Sequence, residues 1–269
     1  RLQEYTELKK SDKIKWYYKV KDSHKFDELK NWEITFEDDF DGSSLDKDKW
    51  LTRYFWAEKL LHAPYSLVQD MHFMTDGNNL SVKNSQLTIT TRAEKVTGKA
   101  WDVEKGFFDK EFEFTSGIVN TGESFRQKYG RFEAKIRFQG NGPVIQDFWM
   151  LAQQMVPHVD IAKHEKTFYV TGNYWGNPNE QGGIKKKRSR FAASRIKNKF
   201  YIYTLEWTPE KLVWKINNTE VKTVTEGIPQ DPMYVILSAG LAKKPSNSFT
   251  TAEMDIDWVR ISQKIEEQE

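Results

Sequence analysis

The segment directly after Pro157 reads His158-Val159-Asp160-Ile161-Ala162-Lys163-His164-Glu165, and it concentrates groups that move protons or hold charge. Asp160 and Glu165 are its carboxylates. Two carboxyl groups about 5–5.5 Å apart are what a retaining glycosidase needs, one to attack the anomeric carbon and one to protonate the leaving oxygen. His158, Lys163 and the nearby Tyr174 are the types that elimination across a uronic acid needs, a base and a cation beside the carboxylate. Nothing in their spacing selects that reaction. Indole stacks on the apolar face of a sugar ring while polar neighbours hold hydroxyls, so the many tryptophans are candidate sugar platforms, and Arg131, on the polar face of its strand, is a candidate hydroxyl or anion contact. The plain alternatives are a core position for a tryptophan, expected for Trp207, Trp214 and Trp258, and a salt-bridged strand for Arg131.

The composition is consistent with a glycan ligand. Ten Trp and an aromatic content of 14% exceed what a core of 269 residues needs. The formal net charge is only +2, so bulk charge selects no partner. The densest charge block, Lys185-Lys186-Lys187-Arg188-Ser189-Arg190, reads as a solvated loop by default. A single basic run without a recognisable nucleic-acid module does not support nucleic-acid binding. The absence of cysteine excludes disulfides and cysteine-based metal sites. The longest apolar stretch, Tyr234 to Leu241, is far too short for a helical membrane span. The chain begins at Arg1 rather than Met, which fits a removed leader and an extracytoplasmic setting.

The elements that position these residues are short and β-rich. From Trp32 onward, runs such as Leu80–Val82, Leu87–Thr91, Arg131–Phe138, Val159–Ile161, Phe168–Val170, Phe200–Trp207, Leu212–Ile216, Tyr234–Ser238 and Met254–Ile261 alternate with turn signals. Period-2 alternation is clearest where Gly130, Phe132, Ala134, Ile136 and Phe138 face one way and Tyr129, Arg131, Glu133, Lys135 and Arg137 the other. Many short strands at even spacing predict an all-β jelly-roll sandwich, a monomer. Residues 1–31 read as a lysine-rich extension docking through Ile14, Trp16, Tyr17, Tyr18 and Val20, residues 32–263 as the sandwich, and 264–269 as a charged tail.

A resemblance sharpens this. Phe36-Glu37-Asp38-Asp39-Phe40-Asp41-Gly42, Tyr129-Gly130-Arg131-Phe132-Glu133-Ala134-Lys135, Phe148-Trp149-Met150-Leu151, Asn173-Tyr174-Trp175-Gly176, Tyr203–Thr208, Ile228–Met233 and Ile256-Asp257-Trp258-Val259-Arg260-Ile261 follow one another in a familiar order. From about Trp32 to Gln263 this order resembles family 16 of the glycoside hydrolases, of the laminarinase and κ-carrageenase type. The resemblance implies a concanavalin A-like jelly roll with a polysaccharide groove lined by Trp149, Asn173 and Trp175. It also implies a strand reading E-I-D-x-x-E, bulged in laminarinases, whose first Glu is nucleophile and last Glu acid/base. Here His158 stands at the nucleophile position and Lys163 at the acid/base position, and only Asp160 is retained.

Imidazole is a poor stand-in for an attacking carboxylate, and an ammonium with an ordinary pKa near 10.4 is a weak proton donor. The expectation is a polysaccharide-binding pseudoenzyme with no cofactor for catalysis. The alternative is an active endo-glycosidase using Asp160 and Glu165, which share the spacing of the family's glutamates, should the bulge shift along the strand. Otherwise Glu165 is a strand-end charge paired with a neighbour such as Lys166. Because the basic run follows the groove strand, His158, Lys163, Arg131 and residues 185–190 together predict an electropositive groove favouring an anionic glycan. The resemblance further implies a structural calcium ion held by Asp39, Asp257 and a main-chain carbonyl near Gly77.

Overall fold

The computed structural model describes residues 2–139, 143–165, 168–177, 179–192 and 198–265. Residues 140–142, Lys166 and the tail beyond Ile265 lie outside the described residues. Two sheets pack face to face. The larger has eleven strands and runs, in spatial order, Thr219–Val224, Leu212–Ile216, Phe200–Trp207, Gly130–Phe138, Thr251–Lys264, Leu87–Asp102, Gly106–Ser116 and His72–Met74, with Trp32–Asp38, Tyr65–Leu67 and Leu80–Val82 attached beside this path. The smaller has six, in the order Ile184–Ala192, Phe168–Gly176, His158–Glu165, Val144–Leu151, Tyr234–Leu241 and Ile118–Asn120. This is the all-β jelly roll that the strand pattern predicts.

The core lies between the sheets. Phe132, Ala134, Ile136 and Phe138 are buried there, as their alternation requires, together with Phe148, Met150, Val159, Tyr203, Leu205, Trp207, Trp214, Val235, Leu237, Val259 and Ile261. Burying such side chains supplies most of the favourable free energy, about 25 cal/mol per Å² of apolar surface. Strands whose inner residues face this core are thereby fixed in register, because a slip of one residue would turn the apolar set outward.

Two regions differ from expectation. The basic run is not a loop: it forms Ile184–Ala192, the edge strand of the smaller sheet, paired with Phe168–Gly176 from Phe168↔Ala192 to Gly176↔Ile184. A dense charge row suits an edge, where it discourages pairing with another chain. The N-terminal extension is helical, Leu2–Lys10, Asp12–Val20 and Asp27–Lys30, with Ser11 capping the second helix. Of the residues read as docking, Ile14 and Val20 are partly buried. Trp16, Tyr17 and Tyr18 are 49%, 44% and 66% exposed, and Trp16 and Tyr17 pack edge-on against Phe26 of the same extension.

Candidate functional site

The inner face of the smaller sheet turns away from the core, and a β-bulge decides which residues it carries. Asp160 pairs with Trp149, Ala162 with Phe148 and Lys163 with Asp147, so Ile161 is the extra residue. The bulge lets Asp160 and Lys163, three positions apart, point to the same side as Trp149 and Asp147. His158 and Glu165 join them by ordinary alternation, and their partners Tyr174 and Phe168 on the next strand extend the rows.

At the centre, His158 Nε2 lies 2.8 Å from Asp160 Oδ1 and the Tyr174 hydroxyl donates to Asp160 Oδ2 at 3.0 Å. The imidazole sits between Trp149 and Tyr174, with ring centroids 4.9 Å from each. Trp149 Nε1 donates to Ser238 Oγ at 3.0 Å, which fixes the indole plane. Gly172 makes this possible: a Cβ there would lie 2.7 Å from the Tyr174 ring and 2.9 Å from Asp160 Oδ2. Asp160 is fully buried beneath these groups. Burial alone would raise its pKa, but the His158 contact, Lys163 and the Tyr174 hydroxyl hold it below the ordinary carboxylate value. Burial and the Asp160 charge push the Tyr174 phenol well up, so it stays protonated.

A second acid lies beside the first. Lys163 Nζ is 3.2 Å from Asp147 Oδ2, and Asp147 is buried. Burial pushes the Asp147 carboxyl up to about 7, against the opposing pull of the Lys163 ammonium. The Asp147 charge in turn raises Lys163 above its ordinary value despite burial. The sequence reading overlooked Asp147. Its signal was present: two residues before Trp149 on a strand, it must share that residue's face.

Glu165 is on the same face but is engaged elsewhere, 3.6 Å from Arg188 and 4.0 Å from Arg190 on the edge strand. Lys163 stands between it and Asp160, and the bulge has not shifted. Three other expected groove residues are not there. Asn173 and Trp175 alternate with Tyr174 and point to the opposite side of their strand. Asn173 Nδ2 donates to the carbonyls of Glu226 and Gly227 at 3.1 and 3.0 Å, and the Trp175 ring lies against Gly227, where any Cβ would clash. Arg131 belongs to the other sheet. There it bridges Glu206 at 2.9 Å and Glu28 at 3.3 Å, and its guanidinium covers Trp32 at 4.3 Å. The pattern of its strand was right, but alternation does not say which sheet a strand joins. The electropositive groove is reduced accordingly: Lys163 faces Asp147, and Arg188 and Arg190 face Glu165.

The three residues implied for calcium do not fit that ion as placed. Lys135 Nζ is 2.7 Å from Asp257 Oδ2, and Arg260 is 3.2 Å from Asp39 Oδ1, so a basic side chain stands at each carboxylate. Gly77 lines a separate cleft with Asp76, Thr52 and Ser81 that includes neither acid.

Residues 68–260 match the family model for glycosyl hydrolases family 16. The chain belongs to that family. Its relatives include the endo-1,3-1,4-beta-glycanase EglC of Rhizobium meliloti, 26% identical over 84% of this chain and 50% of the relative. The glucan endo-1,3-beta-glucosidase A1 of Niallia circulans is 21% identical over 85% of this chain and 37% of the relative. The chain thus spans half or less of the length of these two proteins. Among solved structures, the LamA catalytic domain of Zobellia galactanivorans superposes with a TM-score of 0.70 at 18% identity, over 86% of this chain and 97% of that one. The endo-beta-1,3-glucanase of Pyrococcus furiosus gives 0.69 at 20% identity, over 88% and 96%. Both likenesses establish the fold.

Proposed function

We propose that this family 16 protein binds a polysaccharide along the inner face of its six-stranded sheet and does not cleave it by the family's double displacement. One observation carries the reading. The two positions that would hold the attacking and protonating carboxylates hold His158 and Lys163, and each is paired with a buried acid, Asp160 and Asp147. A retaining mechanism requires two carboxyl groups about 5–5.5 Å apart on either side of the scissile bond. In this groove Asp160 lies beneath His158 and Tyr174, and Glu165 is drawn to the edge strand. Trp149, flanked by His158 and Tyr174, supplies a platform for a sugar ring. The setting proposed with this reading is the cell surface or periplasm, as part of a polysaccharide-capture system.

The relatives' names make β-glucans the first ligands to test. In native affinity gels containing mixed-linkage β-1,3-1,4-glucan or laminarin, the protein should be retarded and prolonged incubation should release no new reducing ends. Release of oligosaccharides, abolished separately by Asp160→Asn and by Glu165→Gln, would replace this reading with the displaced-pair glycosidase.

A further inference from the structure

Next to His158 the groove opens into a cavity of different character. Leu151 is the direct cross-strand partner of His158, and it forms the cavity wall with Phe55, Trp56, Tyr65, Trp149 and Ile236. The volume is about 120 Å³. Phe55, Leu151 and Ile236 are buried and form a second apolar cluster with Tyr234 and Ile118, separate from the main core. The Phe55–Leu60 helix closes the space from above, and Met155, 60% exposed, lies at its lip.

The lining is mostly carbon and offers few groups to the several hydroxyls of a sugar ring. Asn120 is spent on the fold: its Nδ2 donates to Arg53 O at 2.7 Å and its Oδ1 accepts from Gly122 N at 3.0 Å. The other polar groups in the wall are the indole N–H of Trp56, that of Trp149, which is given to Ser238, and the phenols of Tyr54, Tyr65 and Tyr234, which burial keeps protonated and so able to donate as well as accept. Protein interiors pack as densely as organic crystals, and a carbon-lined space offers water too few partners to hold it. At about 30 Å³ per water-sized group, the cavity takes roughly four such groups, too few for a hexose ring and enough for a short acyl chain with one carbonyl to accept from a phenol.

We propose that this cavity receives a short acyl ester carried on the glycan, so that the groove selects an acylated polysaccharide over its unsubstituted form. The proposal rests on glycan binding in the groove, because Trp149 serves both spaces, as cavity wall and as the ring stacked on His158.

The test uses the whole chain with methyl-labelled Leu, Ile and Met and ring-labelled His, followed by NMR. Methyl esters from acetate to hexanoate should perturb Leu151, Ile118 and Ile236. Affinity should rise about fourfold per methylene and stop rising near butyrate, where the space is full. Mono-O-acetyl isomers of methyl β-D-glucoside and methyl β-D-galactoside come next. At least one should bind tenfold or more tightly than its parent, with shifts at both His158 and Leu151, and Met155→Glu at the lip should erase that difference. Esters that leave the three methyl-bearing residues unmoved would overturn the proposal. So would esters that enter while no acetylated glycoside exceeds its parent. Gel retardation by β-glucan in the same preparation reads the groove separately, so failure of the cavity and failure of glycan binding are distinguishable.

Discussion

On the outer face of the eleven-stranded sheet, Arg260 lies 3.2 Å from Asp39 and 3.6 Å from Glu37, with its side chain 38% exposed. Lys99 reaches Asp109 at 2.9 Å in the same manner across the neighbouring strands Leu87–Asp102 and Gly106–Ser116, with both side chains exposed. On the inner face of the six-stranded sheet, the acids Asp160 and Asp147 are buried and held by His158 and Lys163. Exposed pairs of the outer kind contribute little, typically below about 1 kcal/mol, since water already solvates both partners. Buried acids are costly to place, and removing one partner strands the other. A fold does not need that second arrangement, so its presence on the face turned away from the core points to the ligand side of the molecule.

The largest expected effect separates the two faces by stability. Asp160→Ala leaves His158 and Tyr174 without their shared acceptor and should lower unfolding free energy by about 3 kcal/mol. Arg260→Ala should cost less than about 1 kcal/mol. Chemical denaturation of both variants checks this, and equal losses would remove the distinction between the faces.

Next comes a comparison within one sheet. Trp149 stands on the inner face and Trp175 on the reverse of Phe168–Gly176, two strands away, against Gly227. Trp149→Ala should weaken glycan binding by about 1–3 kcal/mol, the range for an aromatic anchor. Trp175→Ala should leave affinity nearly unchanged. Calorimetry on both variants, with fold checked by circular dichroism, decides it, and the reverse ranking would move the ligand to the other side of the strand.

These contrasts show what was legible in the sequence. The alternation from Gly130 to Phe138 identified a strand and its buried face, because period 2 follows from backbone geometry alone. It could not say that Arg131 belongs to the outer face, since sheet membership depends on pairing with Thr251–Lys264 and Phe200–Trp207, far away in sequence. His158, Asp160 and Lys163 were legible as a group because they lie on one strand. Asp147 was legible only as a residue on the face of Trp149; its pairing with Lys163 was not, because only the register across the bulge brings the two together. The basic run misled because a row of like charges usually marks solvent, and an edge strand is the β-element where such a row is tolerated.

The Asp147–Lys163 pair yields a pH dependence with a definite sign. Asp147 titrates near 7 in the folded protein, above the ordinary value near 4 that it has unfolded. Its protonated form is therefore favoured by the fold, and the contribution is full below about pH 4 and lost as pH rises through about 7. Lys163 pulls Asp147 down, so Lys163→Met should move the midpoint further up. Carboxyl ¹³C NMR across pH 5 to 9 checks both statements. A midpoint near 4 in the parent would mean that water reaches Asp147.

The smallest effect concerns the edge strand and follows from the same titration. Lys186, Arg188 and Arg190 share the inner face with Tyr174, Gly172 and Val170, and Glu165 offsets the two arginines. Above pH 7 Lys163 is balanced by ionised Asp147, which leaves little net charge to attract an anion. Below pH 7 Asp147 takes up a proton, so the cluster of Lys163, Asp147 and ionised Asp160 loses one negative charge. An acidic glycan should therefore bind more tightly at pH 6 than at pH 8, whereas a neutral β-glucan should show no such change. Lys186→Gln should cost the acidic ligand less than about 1 kcal/mol, as for a solvent-screened charge, and the loss should shrink further as salt shortens the Debye length from about 10 Å at 0.1 M. Affinity for acidic and neutral glycans measured at both pH values and at low and high salt provides the check. Equal affinities throughout would assign the edge charges to keeping the strand unpaired and leave a neutral glycan as the groove's ligand.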